Sequence, residues 1–437
     1  MVENLFFLLD SVNLTLWAYV GFPLILALGL YLSLSSRFVQ LRKFPQTVKL
    51  FIEYTLHGHK TADGVHPIKA FFACVGGAIG IGNIIAVCTA IQIGGPGALF
   101  WIWIVAIFGM IIKYSEVYLG MIFRHHGADG KYEGGPMFFL QHAFHNKWIP
   151  LLVAFLLCIY GVEIYQFQIV SESISLNFDV NYLYCTLFFL VLVIYAGYGG
   201  VDRVGTICTA LLPLFMGTFL FMGIWVFIMN LSEVPHAIGM VVSNAFTGSA
   251  PLGGFVGSSL FLAISQGIKS GCYAADVGVG YAAVIHSESS VEVPAKQSSL
   301  IFIDLFMDIF MVSSISVLII LTTGLWTSPL PASLLIQTAL SQYFPYMDFF
   351  MPAFIFILGY STVISYYCVG LKCAEYLSPN IGKPIFLAFS ICFFLTFSFV
   401  DSIHALTVMS LIQLSLLVCN LVGTFLLRKN LSFEIPK

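Results

Sequence analysis

The sequence predicts an all-α integral membrane protein with eleven transmembrane helices, ten of them forming a five-plus-five inverted repeat behind one extra N-terminal helix. Three observations predict this fold class: the composition, the number of apolar segments, and two apolar segments that glycines interrupt. Of the 437 residues, 59% are hydrophobic and only 9% are charged, whereas a soluble domain has about 25% charged residues. The composition therefore excludes an ordinary soluble fold and makes the lipid bilayer the expected surroundings of the chain.

A helix that crosses a bilayer needs about 20 predominantly apolar residues, and eleven segments approach that length. They lie near residues 13–35, 69–92, 97–123, 148–171, 182–198, 206–230, 254–286, 298–323, 348–371, 384–400 and 402–427. The residues before the first segment include acids but no Lys or Arg, which is not the pattern of a cleaved signal peptide. We therefore expect the first segment to be a retained helix.

The positions of the basic residues support eleven crossings. When the N-terminus is placed outside, every Lys and Arg except Lys269 falls in or beside loops on one side of the bilayer. The positive-inside rule makes that side cytoplasmic. The sequence therefore predicts a multi-pass protein of the inner (cytoplasmic) membrane, with its N-terminus outside and its C-terminus in the cytoplasm.

Two of the apolar segments contain clustered glycines and small polar residues, at Gly76–Asn83 and at Gly267–Gly280. Glycine weakens a helix by about 1 kcal/mol relative to alanine, and unwound backbone at membrane depth must line a cavity enclosed by protein. A pair of interrupted spans in matching positions of two halves is typical of a transporter binding site. The alternative is that these glycines only allow helices to pack closely.

Each interrupted span opens a set of five helices, and an odd number of helices per set inverts the second set relative to the first. The predicted divisions are an N-terminal helix with an amphipathic cytoplasmic segment (1–68), a first repeat (69–230), a connector (231–253), a second repeat (254–427) and a cytoplasmic tail (428–437).

The motifs of several other function classes are missing from the sequence. The ten cysteines form no C-x-x-C pair, the histidines lack metal-site spacing, and no phosphate loop, G-x-S-x-G or H-E-x-x-H occurs. ATP-driven transport by this chain alone and enzymatic catalysis are therefore disfavoured. We expect no nucleic-acid ligand, no metal beyond sodium and no obligate protein partner.

Specific motifs run through the region from about residue 68 to residue 375. They are Gly80-Ile81-Gly82-Asn83-Ile84, Gly94-Gly95-Pro96-Gly97-Ala98 with Phe100-Trp101-Ile102-Trp103, Gly134-Gly135-Pro136-Met137, Gly199-Gly200-Val201-Asp202-Arg203, Gly267-Ile268-Lys269 and Ser361-Thr362. These motifs resemble those of the alanine or glycine:cation symporter family. The resemblance implies a LeuT-like fold and sodium-driven uptake of a small neutral amino acid by alternating access.

The second interrupted span departs from the family pattern. The family usually carries R-G-x-x-S-N-E-A-G there, whereas this chain has Ser270-Gly271-Cys272-Tyr273-Ala274-Ala275-Asp276-Val277-Gly278. The tryptophan that the family has in its eighth core helix appears as Tyr366. Alanine, glycine, D-alanine and another small solute therefore remain as candidate substrates, with sodium or protons as the coupling ion and a passive channel as a further alternative.

The resemblance also implies which residues bind the zwitterionic substrate. N–H groups at the start of a half-helix suit its carboxylate, and Gly80, Ile81 and Gly82 hold that place. Acceptors for the ammonium would come from the carbonyls around Gly267–Gly271 and from the side chain of Gln168, with Gln166 as the alternative register. Ile81 and Tyr366 would exclude a larger substrate.

The cation-binding residues follow from the similarity of the first interrupted span to that of LeuT-type symporters. This similarity implies one sodium cage from the carbonyls of Gly76 and Ile79 with the hydroxyls of Ser361 and Thr362. Asn83 and the carbonyl of Ala78 would build a second. The alternative for Ser361 and Thr362 is a hydrogen bond back to their own helix.

Buried charges in a membrane are costly and usually functional. Asp276 is the strongest single candidate and is counted among the substrate-binding residues, either shaping the unwound segment or carrying a proton. Lys269 is expected to pair with Asp276 or to belong to the cytoplasmic gate. Lys113 and Glu116, three residues apart, are expected to pair with each other, and structural pairs are expected for Glu163 and Asp304.

Overall fold

The fold is almost entirely helical. The structure, a computed structural model, describes residues 2–57, 64–127, 131–247, 256–400 and 402–436. The predicted boundary between connector and second repeat, at residues 253 and 254, lies outside this part of the chain, as do Lys60 and the glycines Gly253 and Gly254.

The N-terminal part begins with one long apolar rod. Helices α1 (Val2–Leu16) and α2 (Phe22–Ser35) are joined without a break by a π-helical turn, Trp17–Gly21. Asn13 and the Trp17 indole contact Ser410 near the other end of the chain, at 3.1 and 2.9 Å. The short helices α3 (Val39–Arg42) and α4 (Phe44–His57) follow, in the segment predicted to lie along the membrane surface.

Eight helices occupy the first predicted repeat, with a two-stranded antiparallel hairpin between the third and the fourth of them. The helices are α5 (Pro67–Ala78), α6 (Ile85–Gly94), α7 (Ala98–Ile122), α8 (Pro136–Phe144), α9 (Trp148–Tyr160), α10 (Ile164–Phe178), α11 (Tyr182–Gly197) and α12 (Gly200–Met229), and the strands are β1 (His125–His126) and β2 (Tyr132–Glu133).

The second predicted repeat and its connector hold the remaining ten helices. These are α13 (Glu233–Thr247), α14 (Val256–Ala275), α15 (Tyr281–Ser287), α16 (Pro294–Ser299), α17 (Ile301–Leu305), α18 (Ser314–Thr322), α19 (Ala332–Ser341), α20 (Met347–Leu377), α21 (Gly382–Phe397) and α22 (Ser402–Leu426). A π-helical stretch, Phe306–Ser313, joins α17 to α18, and single 3-10 turns occur at Ile81–Asn83, Leu325–Thr327 and Arg428–Asn430.

Within the described residues, each of the eleven predicted apolar segments coincides with one helix or with two or more consecutive helices. Seven helices in the described part of the chain are long and apolar enough to cross a membrane, and the bent pair Pro67–Ala78 with Ile81–Gly94 makes an eighth. Two further segments are shorter apolar helices, α11 and α21, and the last is the pair α14 and α15. The multi-pass prediction is confirmed, while the count of eleven stays a prediction.

The first predicted interruption is confirmed. Helix α5 ends at Ala78, Gly80 is extended, and α6 starts at Ile85 after one 3-10 turn, with a bend of 56° between the two halves. Every residue from Gly76 to Asn83 is buried. The unwound backbone therefore lies inside the protein, as the cost of unsatisfied backbone groups in lipid requires.

The second interruption occupies only the last part of the predicted run Gly267–Gly280. Helix α14 continues through Gly267 and Gly271 and ends at Ala275, and the break occupies Asp276–Gly280. Both glycines instead allow close packing on α7: a Cβ at position 267 would lie 2.5 Å from the Ala98 carbonyl oxygen. The expectation that the backbone unwinds at Gly267–Gly271 is therefore wrong, because helix packing explains these two glycines.

The inner ends of the two interrupted spans are tied to each other. Val65, just before α5, forms a parallel bridge with Ser289, just after α15, through hydrogen bonds of 2.7 and 2.9 Å. Arg124 donates to the carbonyls of Ser287, Ser289 and Val291 at 2.7–3.1 Å. The first half of the first span, α5, and the second half of the second span, α15, are thus held together at the predicted cytoplasmic side.

Candidate functional site

Side chains take the place of missing backbone partners at the first interruption. The Gly80 N–H donates to the Asn83 carboxamide oxygen at 2.9 Å, and the Ile81 N–H donates to Gln166 Oε1 at 3.1 Å. The Thr362 hydroxyl donates to the Gly76 carbonyl at 3.0 Å. The polar backbone groups freed by the break are therefore bonded to groups that a ligand could replace.

Of the two glutamines on α10, Gln166 is the one at the interruption. Gln168 faces away, and its amide donates to the carbonyls of Phe397 and Val400 beyond α21. The structure thus favours the alternative register over Gln168, because a helix turns by about 200° in two residues and cannot direct both side chains to one place.

Of the proposed sodium ligands, Thr362 contacts Gly76, whereas Ser361 bonds to its own helix. Thr362 reaches across from α20 to Gly76, as the cage requires, whereas the Ser361 hydroxyl bonds back to the Leu358 carbonyl at 2.9 Å. Ala78 and Ile79 are buried at the end of α5. Thr362 therefore has the geometry of a ligand position, while Ser361 shows the back-bonded alternative.

Asn83 belongs to a polar cluster within the protein. Its amide nitrogen donates to Asp308 and, at 3.0 Å, to the Ser313 hydroxyl, both on the π-helical stretch between α17 and α18. A π-helical turn shifts side chains out of the α-helical register and is frequent at functional sites. The stretch thereby aims Asp308 and Ser313 at the first interruption.

The second interruption is closed by side chains from distant helices. Asp276, Gly278 and Gly280 all have positive φ, a backbone conformation that glycine and aspartate adopt most readily. From α22, Gln413 donates to the Cys272 carbonyl at 2.9 Å and Asn420 to the Gly278 carbonyl at 2.8 Å.

A buried ion pair supports the same break. The Lys113 amine donates to Asp304 at 2.8 Å and to the Ala275 carbonyl, the last of α14, at 3.2 Å. The structural pair predicted for Asp304 is confirmed. The pairing predicted between Lys113 and Glu116 is wrong, because the amine of Lys113 points away toward α14 and α17.

Lys269 has a different partner from the one expected. Its amine lies 4.0 Å from a carboxylate oxygen of Asp10 on α1, and not beside Asp276. Lys269 lies two turns before the end of the continuous helix α14, so that its side chain reaches the N-terminal rod. The prediction that Lys269 pairs with Asp276 is wrong.

Tyrosines line the region between the two interruptions. The ring of Tyr366 stacks on Tyr281 with centroids 4.2 Å apart and meets Tyr160 edge-on at 5.2 Å. A Cβ at position 82 would lie 3.3 Å from the Tyr273 ring. Tyr366 and Ile81 are buried, with 1% and 0% exposure, in keeping with a small site.

A third interruption was missed in the sequence. The span Trp148–Phe178 is broken at Gly161–Glu163, and Glu163 has a φ of +47°. Glu163 is buried, and the structural pair predicted for it is absent from the described residues, where one carboxylate oxygen has no hydrogen-bond partner. The available signal was an acid two residues after a glycine inside an apolar run.

A cavity of about 640 Å³ opens at the predicted cytoplasmic side. The ion pairs Lys372–Glu288 and Lys69–Asp202 lie around it. Each pair joins an end of an interrupted span, at Lys69 or Glu288, to an uninterrupted helix, α12 or α20. The cavity is therefore placed to connect the interrupted spans with the predicted cytoplasm.

Comparison with known proteins gives a consistent result. The family model described as the sodium:alanine symporter family matches residues 2–435. The uncharacterized transporter YflA of Bacillus subtilis is 31% identical over 401 residues, covering 89% of this chain and 84% of its own. The sodium/alanine symporter AgcS of Methanococcus maripaludis is 27% identical over 391 residues, covering 87% and 85%.

The fold also matches a solved transporter. The crystal structure of MhsT in complex with L-phenylalanine superimposes with a TM-score of 0.52 at 14% identity, covering 82% of this chain and 81% of the other. This similarity shows a shared fold, that of the LeuT-type transporters, and the predicted fold class is confirmed by it. The family match and the shared fold together show that this chain is a transporter and not an enzyme.

Proposed function

Because this chain belongs to the sodium:alanine symporter family, we propose that it couples sodium entry to the uptake of a small neutral amino acid. Alanine and glycine are the first candidates, with D-alanine a further one. The observation that carries the proposal is the first interruption, where the N–H groups of Gly80 and Ile81 and the carbonyl of Gly76 bond to side chains.

The substrate carboxylate would take the place of two amide oxygens. Gly80 and Ile81 donate to the carboxamides of Asn83 and Gln166, and a carboxylate oxygen is a stronger acceptor of the same N–H groups. The following half-helix α6 adds the positive end of its dipole. On binding, Asn83 and Gln166 would turn away, while Ile81 and Tyr366 limit the size of the substrate.

Sodium would bind beside the carboxylate. Gly76 and Ile79 supply carbonyl oxygens, Thr362 supplies a hydroxyl from α20, and Ser361 joins the cage if its hydroxyl leaves the Leu358 carbonyl. Hard cations prefer such oxygen ligands. Asn83 and the carbonyl of Ala78 remain the proposal for a second ion.

Transport would proceed by rocking of the interrupted spans and their neighbours α7 and α16–α18 against the other helices. The bridge between Val65 and Ser289 makes the inner ends of the two spans move together. The ion pairs Lys69–Asp202 and Lys372–Glu288 join this moving part to α12 and α20. They would separate when the site opens toward the cytoplasm.

Uptake of labelled alanine and glycine into liposomes tests the proposal. We expect accumulation that depends on an inward sodium gradient and stops when an ionophore removes it. Thr362→Val should raise the sodium concentration for half-maximal uptake about tenfold, because it removes a cage oxygen, whereas Thr362→Ser should not. Equal flux with and without the gradient would support the passive-channel alternative instead.

A proton-coupled or retuned transporter is the second candidate. It is favoured by the buried acids Glu116, Glu163, Asp276 and Asp308, which have no ion pair within the described residues. A pH gradient that drives uptake in the absence of sodium would support this candidate. Replacing Ala274 and Ala275 by serine and asparagine, the residues of the family pattern, and measuring uptake would distinguish a changed substrate or ion preference from neutral sequence drift.

A further inference from the structure

We propose that Glu163 is a substrate-binding residue, and that with Asp276 it forms a dianionic subsite for a primary ammonium group. This inference rests on the proposed function and adds to it the residue and the charge that recognise the amine. The amine would be bound by two carboxylates, in place of the backbone carbonyls expected around Gly267–Gly271.

The position of Glu163 has no structural explanation in helix capping. Glu163 precedes the first residue of α10, where a side chain commonly accepts a hydrogen bond from the first turn, yet it forms no such bond. The residue is 1% exposed and has a φ of +47°. A non-glycine residue in this conformation is uncommon and tends to occur at binding sites.

The carboxylate of Glu163 lies at the two main interruptions. It is beside the side chain of Gln166, whose Oε1 accepts the Ile81 N–H of the first interruption. The same glutamine is beside Tyr273 at the end of α14. Gln166 therefore links Glu163 to the first interruption and to the end of α14, where the second interruption begins.

Asp276 is the first residue of the second interruption. It is 4% exposed, its φ is +50°, and its carboxylate is beside the Tyr366 hydroxyl and interacts electrostatically with Glu163. Two like charges in one buried site oppose each other unless a cation or a proton lies between them. The arrangement is therefore stable only with a proton or a cation between the two carboxylates, and a cation from the ligand is assigned to this place.

Two carboxylate oxygens point to the same missing group. Within the described residues, Glu163 Oε2 and Asp276 Oδ2 have no hydrogen-bond partner. Buried polar groups are almost always bonded, and an ammonium has three N–H donors but no acceptor. The surrounding tyrosine rings also favour a cation.

The nearby lysine cannot serve as that group. Lys113 interacts electrostatically with Asp276, but its amine already donates to Asp304 and to the Ala275 carbonyl. The family arginine of the second interrupted span is Ser270 in this chain. The ligand must therefore bring the positive charge, which defines its class as a primary amine.

Two ligands separate recognition of the amine from recognition of the carboxylate. Alaninamide keeps the ammonium and lacks the carboxylate, whereas lactate keeps the carboxylate and lacks the ammonium. We expect alaninamide to raise the melting temperature of the purified full-length protein in detergent and to compete with labelled alanine for uptake. Lactate should do neither.

Glu163→Gln should abolish the alaninamide shift and weaken alanine binding about tenfold or more, the expected effect of losing a charged hydrogen bond. Glu172→Gln, an exposed acid on the same helix, is the matched control and should behave as wild type. If Glu163→Gln fails to fold, Glu163→Asp, which withdraws the charge by one methylene, should fold and bind alaninamide less tightly.

The outcomes distinguish this inference from the proposed function. Sodium-driven alanine uptake with an unchanged alaninamide response in Glu163→Gln or Glu163→Asp overturns the role of Glu163 alone. An alaninamide shift that requires Glu163, in a protein without sodium-driven uptake, overturns the symport proposal alone. A changed pH dependence of uptake with unchanged alaninamide binding would make Glu163 a proton carrier and also overturns the inference.

Discussion

The two main interruptions in this transporter are closed by different means. At the first, Asn83 bonds to Gly80 three residues earlier, and single side chains from α10 and α20 complete the closure. At the second, the carbonyls near the break depend on Lys113, Gln413 and Asn420, which lie more than 140 residues away in the sequence. The first break thus combines one local bond with two remote ones, whereas the three bonds named at the second are all remote.

This difference determines what each break can tolerate. A locally closed break keeps its shape when neighbouring helices move, because its partner residue moves with it. A break held by remote side chains changes shape when α7 or α22 shifts relative to α14. We therefore expect the second interruption, whose named bonds are all remote, to respond more strongly to helix movement than the first.

The largest effect should come from Lys113→Met. The change leaves Asp304 as an uncompensated buried charge and the end of α14 without its donor, and breaking a buried pair in this way costs about 3–5 kcal/mol. The free energy of unfolding, measured in detergent, should fall by that amount. The double variant Lys113→Met with Asp304→Leu should recover most of the loss, and a double variant no more stable than the single one would contradict the assigned pairing.

A smaller effect is expected at Gly267, where the alternatives of close packing and unwound backbone can be separated. Gly267→Ala should destabilise the protein by about 1–3 kcal/mol through overpacking against Ala98. Gly239 on α13 has no atom within 4 Å of an added Cβ, so Gly239→Ala should stabilise by up to about 1 kcal/mol. Melting temperatures that move in the same direction in both variants would contradict the packing role of Gly267.

The smallest effect should follow from removing one remote hydrogen bond. Asn420→Leu loses the donor to the Gly278 carbonyl, and side-chain hydrogen bonds within membranes contribute about 0.6 kcal/mol on average and at most about 1.7 kcal/mol. Hydrogen exchange should rise at residues 276–280 but not at residues 79–84. Ser415→Ala, exposed on the same helix, is the control, and equal increases at both interruptions would remove the distinction between them.

The same distinction explains how far the sequence could predict the structure. The fold class and the first interruption followed from composition, apolar lengths and a glycine cluster that lies beside its own closing residue, Asn83. The second interruption was predicted to begin too early, at Gly267, although its end at Gly280 was included, because Gly267 and Gly271 look alike whether they face an unwound turn or the surface of α7. Only the tertiary contact with Ala98 and Val105 separates these cases.

The side chains at the site were harder to predict than the backbone. Whether Gln166 or Gln168 faces the first interruption depends on the rotation of α10, and the sequence does not fix this rotation because polar residues are spread around the helix. The partners of Lys113 and Lys269 depend on helices that are distant in sequence. Glu163 was assigned to a structural pair because the break at Gly161 carries a single glycine and no cluster.

The segment Leu431–Pro436 has a consequence for how the helices move. It follows α22 without helix or strand structure and runs along α4 and α7. The Gln46 amide on α4 donates to the Ile435 carbonyl at 3.0 Å, and the Tyr114 hydroxyl on α7 donates to the Ser432 carbonyl at 2.8 Å. Phe433 stacks on the Tyr114 ring, and Ile435 is buried. This short strap fastens the last helix to α7, so the reach of six residues sets how far those two can separate in one transport cycle.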